Sequence, residues 1–337
     1  MPLIQNNTNP YGVVDRTDEL LIVPNKYGLL QDMGLFKSQG VIGSSFYVDE
    51  HEVFTGALVD LPRGTKPAAG REDVRRRRHF EIPHFPMRQA IRPSDIARVS
   101  TRGDGMLDTL DMKRAEKMEF IRRTLANTLE VARCQMLTDG TVYSPNGNVV
   151  LNVYTEFGVT RKEIDFAFGT TATETLLKGE EAIAHTQDNL QNGGTYSGLV
   201  AICHPTFFNR LITHASVKAA WSLYQSTQEP YRQRLGGSNA LHRQFEYGGV
   251  TYIEYRTSST TPLIPAGECR FVPTGTDFFK TYFGTAEKFS TVNQIGQEAY
   301  YFEQKAITDD EWTIDAETNF ANICLNPRLM IRGYSTN

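Results

Sequence analysis

The longest regular pattern of apolar and polar positions lies in residues 107–137, LDTLDMKRAEKMEFIRRTLANTLEVARCQML, a stretch without Gly or Pro. Met118, Ile121, Leu125, Leu129, Ala132 and Met136 recur at spacings of three and four, which lays one apolar stripe along a helix. Lys113, Glu116, Glu119, Arg122, Arg123, Glu130 and Arg133 fall on its other faces. Glu119 precedes Arg123 by four residues, the favourable order for an exposed pair. Asp104 or Asp108 is placed to cap the start, and Gly140 stands just past the end, where a left-handed residue is cheap. At ~1.5 Å per residue this helix is on the order of 45 Å long, too long to bury end to end in one compact domain. The pattern predicts a spine with its stripe under a sheet and its charged side toward solvent or a neighbour. It lacks the sustained heptads of a coiled coil.

Ahead of the spine, residues 1–35 contain Pro2, Pro10 and Pro24 and read as an extended arm, with a little helix near residues 27–33. Residues 36–100 hold β-branched and aromatic runs at 41–48, 52–59 and 74–82. The tip between the last two, LPRGTKPAAGRED, is loaded with Pro and Gly, and Pro83, Pro86 and Pro93 punctuate the residues after them. Few large apolar residues occur here, so the section predicts two long antiparallel arms leaving the core. Arg75, Arg76, Arg77 and Arg78 form its strongest charge feature. Such a run suits contact with an acidic neighbour or with phosphates. The plainer alternative is a solvated strand whose alternate arginines point to opposite faces.

After the spine, residues 142–154 read as a hairpin around Asn146-Gly147. Ile164, Phe166 and Phe168 alternate as a half-buried strand would. Leu176, Ile183 and Leu190 then fall a heptad apart, with Leu177 and Ala184 beside two of them, in a helix that Gly193-Gly194 stops. Next come a strand at 198–203, a helix opening on Pro205, a helix at 216–224, a hairpin turning at Gly248-Gly249 and a strand at 268–273. This alternation predicts one compact α/β insertion between 172 and 299. Strands near 299–306, 312–317 and 323–332 close the chain.

The 337 residues are 40% hydrophobic and 22% charged, enough for an ordinary core in two domains or in one with a large insertion. A net charge of −4 argues against a protein whose main task is gripping nucleic acid. No apolar run is long enough to cross a membrane. The N-terminal stretch lacks a basic segment followed by an apolar one, so no secretory route is expected. Cys134, Cys203, Cys269 and Cys324 are dispersed without a CxxC pair, so they read as buried small side chains and not as zinc ligands. His79 and His84, five apart in a proline-broken segment, cannot copy a helical metal pair. Ser197 lacks the glycine two residues before it that a nucleophile elbow needs. Leu235-Gly236-Gly237-Ser238 lacks the lysine of a phosphate cradle. Asp309, Asp310 and Glu311 read as a solvated turn. No catalytic, cofactor-binding or metal residue is assigned, and the pattern points to assembly.

Five stretches in order carry a family likeness. HFEIPHFPMRQAIRPSDI (79–96), AICHPTFFNRLITHASVKAAW (201–221), FEYGGVTYIEY (245–255), RFVPTGTDFFKTYFGTAE (270–287) and NFANICLNPRLMIR (319–332) together resemble the lambda-type tailed-phage major capsid proteins, the major capsid protein E family. The resemblance implies an α+β, HK97-like capsid fold. Its parts would be an N-terminal arm (1–35), an extended loop (36–100), a peripheral domain with the spine (101–171), an inserted axial domain (172–299) and return strands (300–337). It also implies pentamers and hexamers tiling an icosahedral shell around packaged double-stranded DNA, held without sequence-specific binding. The subunit would be assembled in the host cytoplasm, reside in the virion and need no cofactor. Its partners would be copies of itself, with decoration protein, scaffold and portal as further classes. The four arginines are then expected to act across a subunit boundary. Two other readings stand beside this one: a cellular encapsulating compartment of the same fold with enzyme cargo, and an enzyme whose site is assembled from distant residues.

Overall fold

The computed structural model describes residues 14–15, 28–52, 74–96, 110–143, 151–190, 194–224, 242–256 and 263–336. Most of the arm, the Pro/Gly-rich tip, Asp104, Asp108 and the Asn146-Gly147 turn lie outside these. The strands in chain order are β1 (Val14–Asp15), β2 (Lys37–Gly40), β3 (Ser45–Glu52), β4 (Val74–Glu81) and β5 (His84–Ile91). Next come β6 (Glu163–Asp165), β7 (Gly198–Cys203), β8 (Gln244–Tyr247), β9 (Val250–Glu254) and β10 (Glu268–Thr274). The last are β11 (Phe279–Phe283), β12 (Tyr300–Lys305), β13 (Trp312–Cys324) and β14 (Ile331–Tyr334).

They form two six-stranded sheets and a two-stranded ribbon. The first sheet runs β1-β12-β13-β11-β2, with β5 also paired to β13. The second runs β6-β14-β10-β7-β9-β8, and β3 pairs with β4 as the ribbon. Pairing therefore crosses the borders drawn from the sequence. Strands β6 and β14, outside residues 172–299, complete the second sheet, whereas β11, inside that range, belongs to the first.

Strand β13 organises the first sheet. It pairs antiparallel with β12 through Trp312–Glu317, with β5 through Trp312–Asn319 and with β11 through Phe320–Cys324. The expected strands at 312–317 and 323–332 are in fact one strand of 13 residues, a 3-10 turn (Pro327–Leu329) and β14. The sequence hid this because Glu317, Thr318, Asn319 and Asn322 interrupt the apolar pattern, yet all four are buried. Each is held by a partner, as burial of a polar group demands. Thr318 donates to the Glu298 carbonyl at 2.7 Å, Asn319 to that of Thr285 at 2.8 Å, Asn322 accepts from Thr281 at 2.7 Å and Glu317 from the Glu287 amide at 3.1 Å.

The spine helix spans Leu110–Asp139, and Gly140 ends it with φ of 67°, as the sequence anticipates. Its stripe crosses three cores in turn. Ile121 and Leu125 meet Ile91, Tyr301 and Ile314, with Met118 half-buried beside them. Leu129 and Ala132 meet Phe283 and Phe320. Met136 enters the largest core with Leu30, Phe46, Phe80 and Ile253. Three members of the charged side depart from expectation: Arg122, Glu130 and Arg133 are buried. The cover comes from elements a hundred or more residues away, which no local periodicity can reveal.

The second sheet is buried on both faces. Leu199, Ala201 and Cys203 of β7 turn to a core with Phe207, Phe208 and Leu211, while Val200 and Ile202 turn to the core shared with the spine. This is the period of two in a strand that reads as continuously apolar. Pro205 opens the helix Pro205–Thr213, capped by the His204 side chain, which accepts from the Thr206 amide. Gly248 and Gly249 turn the β8–β9 hairpin with φ of 59° and 71°, a conformation glycine takes without strain. The helix Thr175–Asp188 turns a different face inward from the one its leucines suggest. Leu176 and Leu177 are exposed, and Thr175, Gly179, Ala182 and Thr186 are buried. A Cβ on Gly179 would stand 3.3 Å from the Tyr252 hydroxyl, so small residues set this close approach. Residues 153–156 form a helical turn where a strand was expected, because the Asn152 side chain accepts from the amides of Tyr154 and Thr155. The break expected at Asp49-Glu50 is absent, since β3 runs through that point; residues 53–59 of the second expected strand lie outside the described residues.

Candidate assembly surface

In the ribbon, β3 brings Asp49, Glu50, His51 and Glu52 opposite Arg77, Arg76, Arg75 and Val74. The register sets Asp49 directly opposite Arg77, the position at which a cross-strand ion pair can form. Arg77 forms two parallel bonds to Asp49, Nε to Oδ1 at 2.7 Å and Nη2 to Oδ2 at 3.1 Å. That contact raises the guanidinium pKa further. Arg78, on the opposite face, donates to Glu156 Oε1 at 3.0 Å and lies over the Phe157 ring at 5.0 Å. It therefore fastens the ribbon to the turn after the spine. Arg76 is exposed, and the Arg75 side chain lies outside the described residues. The signal in the sequence was Asp49, whose place opposite Arg77 is set only by the register.

The ribbon buries only its root. Phe46 stacks on Tyr282 with ring centres 4.1 Å apart, and Val48, Phe80 and Ile82 join the same core. There the chain passes itself closely. Val41 donates to the Phe283 carbonyl at 2.8 Å, and Gly296 donates to that of Val41 at 2.9 Å. A Cβ on Gly296 would stand 2.0 Å from the Phe283 carbonyl oxygen, so this crossing requires glycine. Beside it opens a groove of about 580 Å³, lined among others by Gly43, Ile82, His84, Lys288, Phe289 and Val292. His84 Nδ1 is 2.8 Å from Asn319 Oδ1. His79, the other histidine of that stretch, packs its ring 5.0 Å from that of Tyr47 on the ribbon.

Behind the root, the spine carries a buried polar junction. Glu130 Oε1 accepts from the Leu30 amide at 2.9 Å and from the Tyr255 hydroxyl at 2.8 Å. Its other oxygen lies against Gly28, whose missing side chain leaves the room. Arg133 donates to Gln31 and Thr281 and lies over the Phe36 ring at 5.4 Å. Burial lowers the Arg133 pKa, opposed by the charge of Glu130. Burial likewise raises Tyr255 and the Cys134 thiol, with the Glu130 charge adding to both. The junction ties together the helix Leu29–Asp32, the spine and the strand end after β9. The sequence hint was slight: Glu130 and Arg133 each directly follow a stripe residue.

The remaining strong charge contacts are structural. Glu254 accepts from Arg256 at 2.8 Å and from both Nε and Nη2 of Arg243. Arg114 reaches Glu303 at 2.8 Å, and Arg122 reaches Glu298 at 3.2 Å. All four cysteines are buried and free. Asp309 turns with φ of 58° and pairs with Lys305 at 2.6 Å. Among the described residues no group of three or more His, Cys, Asp or Glu side chains could hold a metal ion. No helix among them is long and apolar enough to cross a membrane.

Residues 14–335 match the family model of phage major capsid protein E. The major capsid protein of Pseudomonas phage KPP10 is 37% identical over 348 residues, covering 99% of this chain and 98% of that protein. The major capsid protein of Salmonella phage Felix O1 is 24% identical, covering 98% and 97%. In fold, the chain is similar to the capsid structure of the cyanophage P-SCSP1u, with a TM-score of 0.56 at 13% identity, covering 93% of this chain and 90% of that one. The capsid of the Myoviridae phage XM1 gives 0.53 at 9% identity, with 93% and 94% covered.

Proposed function

The chain belongs to the phage major capsid protein E family, and from that premise we propose that its copies close as pentamers and hexamers into a shell around packaged double-stranded DNA. It is a structural protein of an icosahedral capsid, with an HK97-like α+β fold, and not an enzyme. The observation that carries the finer reading is the match over nearly the whole chain, arm and ribbon included. A chain that kept only the core would support a shared fold and nothing about tiling.

The architecture gives each part a task in this reading. The second sheet and its helices gather at the ring axis. The arm and the ribbon reach adjacent subunits. Arg76, exposed on the ribbon, is the described member of the arginine run with most freedom to meet a neighbour's acid, while Arg77 and Arg78 are engaged at home. Exposed pairs contribute only ~0.2–1 kcal/mol each, but a shell repeats them at every boundary. The net charge of −4 suits a lumen that holds DNA without adhering to it. Decoration protein, scaffold and portal are further partner classes consistent with such a shell.

Electron microscopy of the purified chain across a concentration series tests the proposal. Rings of five and six, and closed shells above a threshold concentration, are expected. A strictly monomeric protein at high concentration would refute it. Shells from infected cells should contain DNA; an enzyme cargo with no genome would favour a cellular compartment instead.

A further inference from the structure

Large apolar side chains gather at the ribbon root with nothing described to cover them. Phe289 is 101% exposed, Val292 59%, Ile295 65% and Ile42 62%. Phe289 and Val292 line the groove of about 580 Å³, Ile42 precedes its lining residue Gly43, and Ile295 stands over Gly40. The segment holding them is fixed in place. Thr291 is buried and donates to the Ala286 carbonyl at 2.8 Å, and Gly296 is bound to Val41. Lys288 is held by Asp315 at 3.2 Å. A fully exposed phenylalanine on an anchored 3-10 turn (Phe289–Thr291) is a preformed knob.

We infer that this face is a subunit contact, covered in the shell by a second copy of the same chain. The inference rests on the shell-forming reading above and goes beyond it by naming the surface. The size of the patch suits that occupant. Four such side chains offer on the order of 400 Å², within the ~300–600 Å² of the largest patch on a monomer, which is often functional, and below the ~800 Å² per partner that holds a stable pair. A patch of that size cannot retain a partner alone, but gains from being closed at every copy of a ring or shell. Of the polar groups around it, His84, Asn319 and Lys288 are engaged by their own chain.

The buried state of all four native cysteines makes a direct test possible. In full-length Phe289→Cys, the new thiol should be the accessible one. Maleimide should label free subunits readily and particles assembled from the purified chain alone at least about tenfold more slowly. A companion variant, Phe289→Ser with Val292→Ser, should melt with the wild type, because both positions are exposed, yet assemble only at about tenfold higher concentration. Equal labelling in subunits and shells, or an unchanged assembly threshold in the double variant, overturns the inference. Protection only in particles containing another protein overturns it too, by giving the face to a different partner. Failure of the wild type itself to form any particle refutes the shell-forming reading instead.

Discussion

Replacing Glu130 by alanine should be among the most damaging single changes in the spine that leave the apolar stripe intact. The carboxylate accepts from the Leu30 amide at 2.9 Å and the Tyr255 hydroxyl at 2.8 Å, and the residue is 5% exposed. Alanine strands both donors, and a buried unsatisfied donor costs ~1–3 kcal/mol. Arg133, 1% exposed, loses the nearest opposing charge, although it keeps Gln31 and Thr281 as acceptors. Partial relaxation offsets some of this, so a loss of ~3–5 kcal/mol is expected, within the range for removing one partner from a buried charged set. Glu130→Gln keeps the accepting oxygen and removes only the charge, and should lose ~1–2 kcal/mol. Urea unfolding of free subunits, followed by fluorescence and by circular dichroism, measures both. The order alanine worse than glutamine is the critical result. An alanine variant within ~0.5 kcal/mol of the wild type would show that the junction does not bind the three elements together.

Ile121→Ala, at a fully buried stripe position, should cost ~2–5 kcal/mol, while Glu119→Ala on the exposed side should stay within ~0.5 kcal/mol; equal melting of the two would place the stripe on the wrong face. Arg78→Ser should lower the melting temperature of the free subunit more than Arg77→Ser, since Arg78 holds Glu156 and Phe157 in partial burial and Arg77 pairs in solvent. Burial pushes the Glu254 carboxyl up, but the bonds from Arg243 and Arg256 more than reverse this, leaving its pKa below the ordinary value. Its contribution is therefore present above the unfolded value of about 4.3 and is lost as pH falls through the lower folded value. The stability gap between wild type and Glu254→Gln should be full near neutrality and close in acid; a gap independent of pH would refute this.

What the sequence disclosed, it disclosed through local physics. The spine stripe obeys a period that any helix must keep, and Gly248-Gly249 and Pro205 mark a turn and a helix start that few other residues could make. What it hid was decided at long range. The continuity of β13 depends on partners for Thr318, Asn319 and Asn322 from segments far along the chain, so its polar interior looks like a break. The inward face of Thr175–Asp188 is chosen by how closely it approaches Tyr252, which favours Gly179 over the leucines. The exposed residues Phe289, Val292 and Ile295 sit in a segment with no regular period, so no pattern marks them as a surface.

The hidden features share one physical role. Subunits that meet through many weak contacts close a shell only if each presents its faces at fixed angles, because small angular errors compound around a ring. Apolar burial alone is tolerant of sliding, whereas a buried donor must meet its particular acceptor or lose its hydrogen bond outright. Thr281 with Asn322 and Asn319 with the Thr285 carbonyl fasten β13 to β11 and the residues just after it, and Glu130 with Leu30 and Tyr255 joins the spine to the helix Leu29–Asp32 and the strand end after β9. They fix strands of the first sheet to each other and the spine to the end of β9 in the second. The polar interruptions that spoil the periodicity are therefore the residues that hold the geometry on which tiling depends.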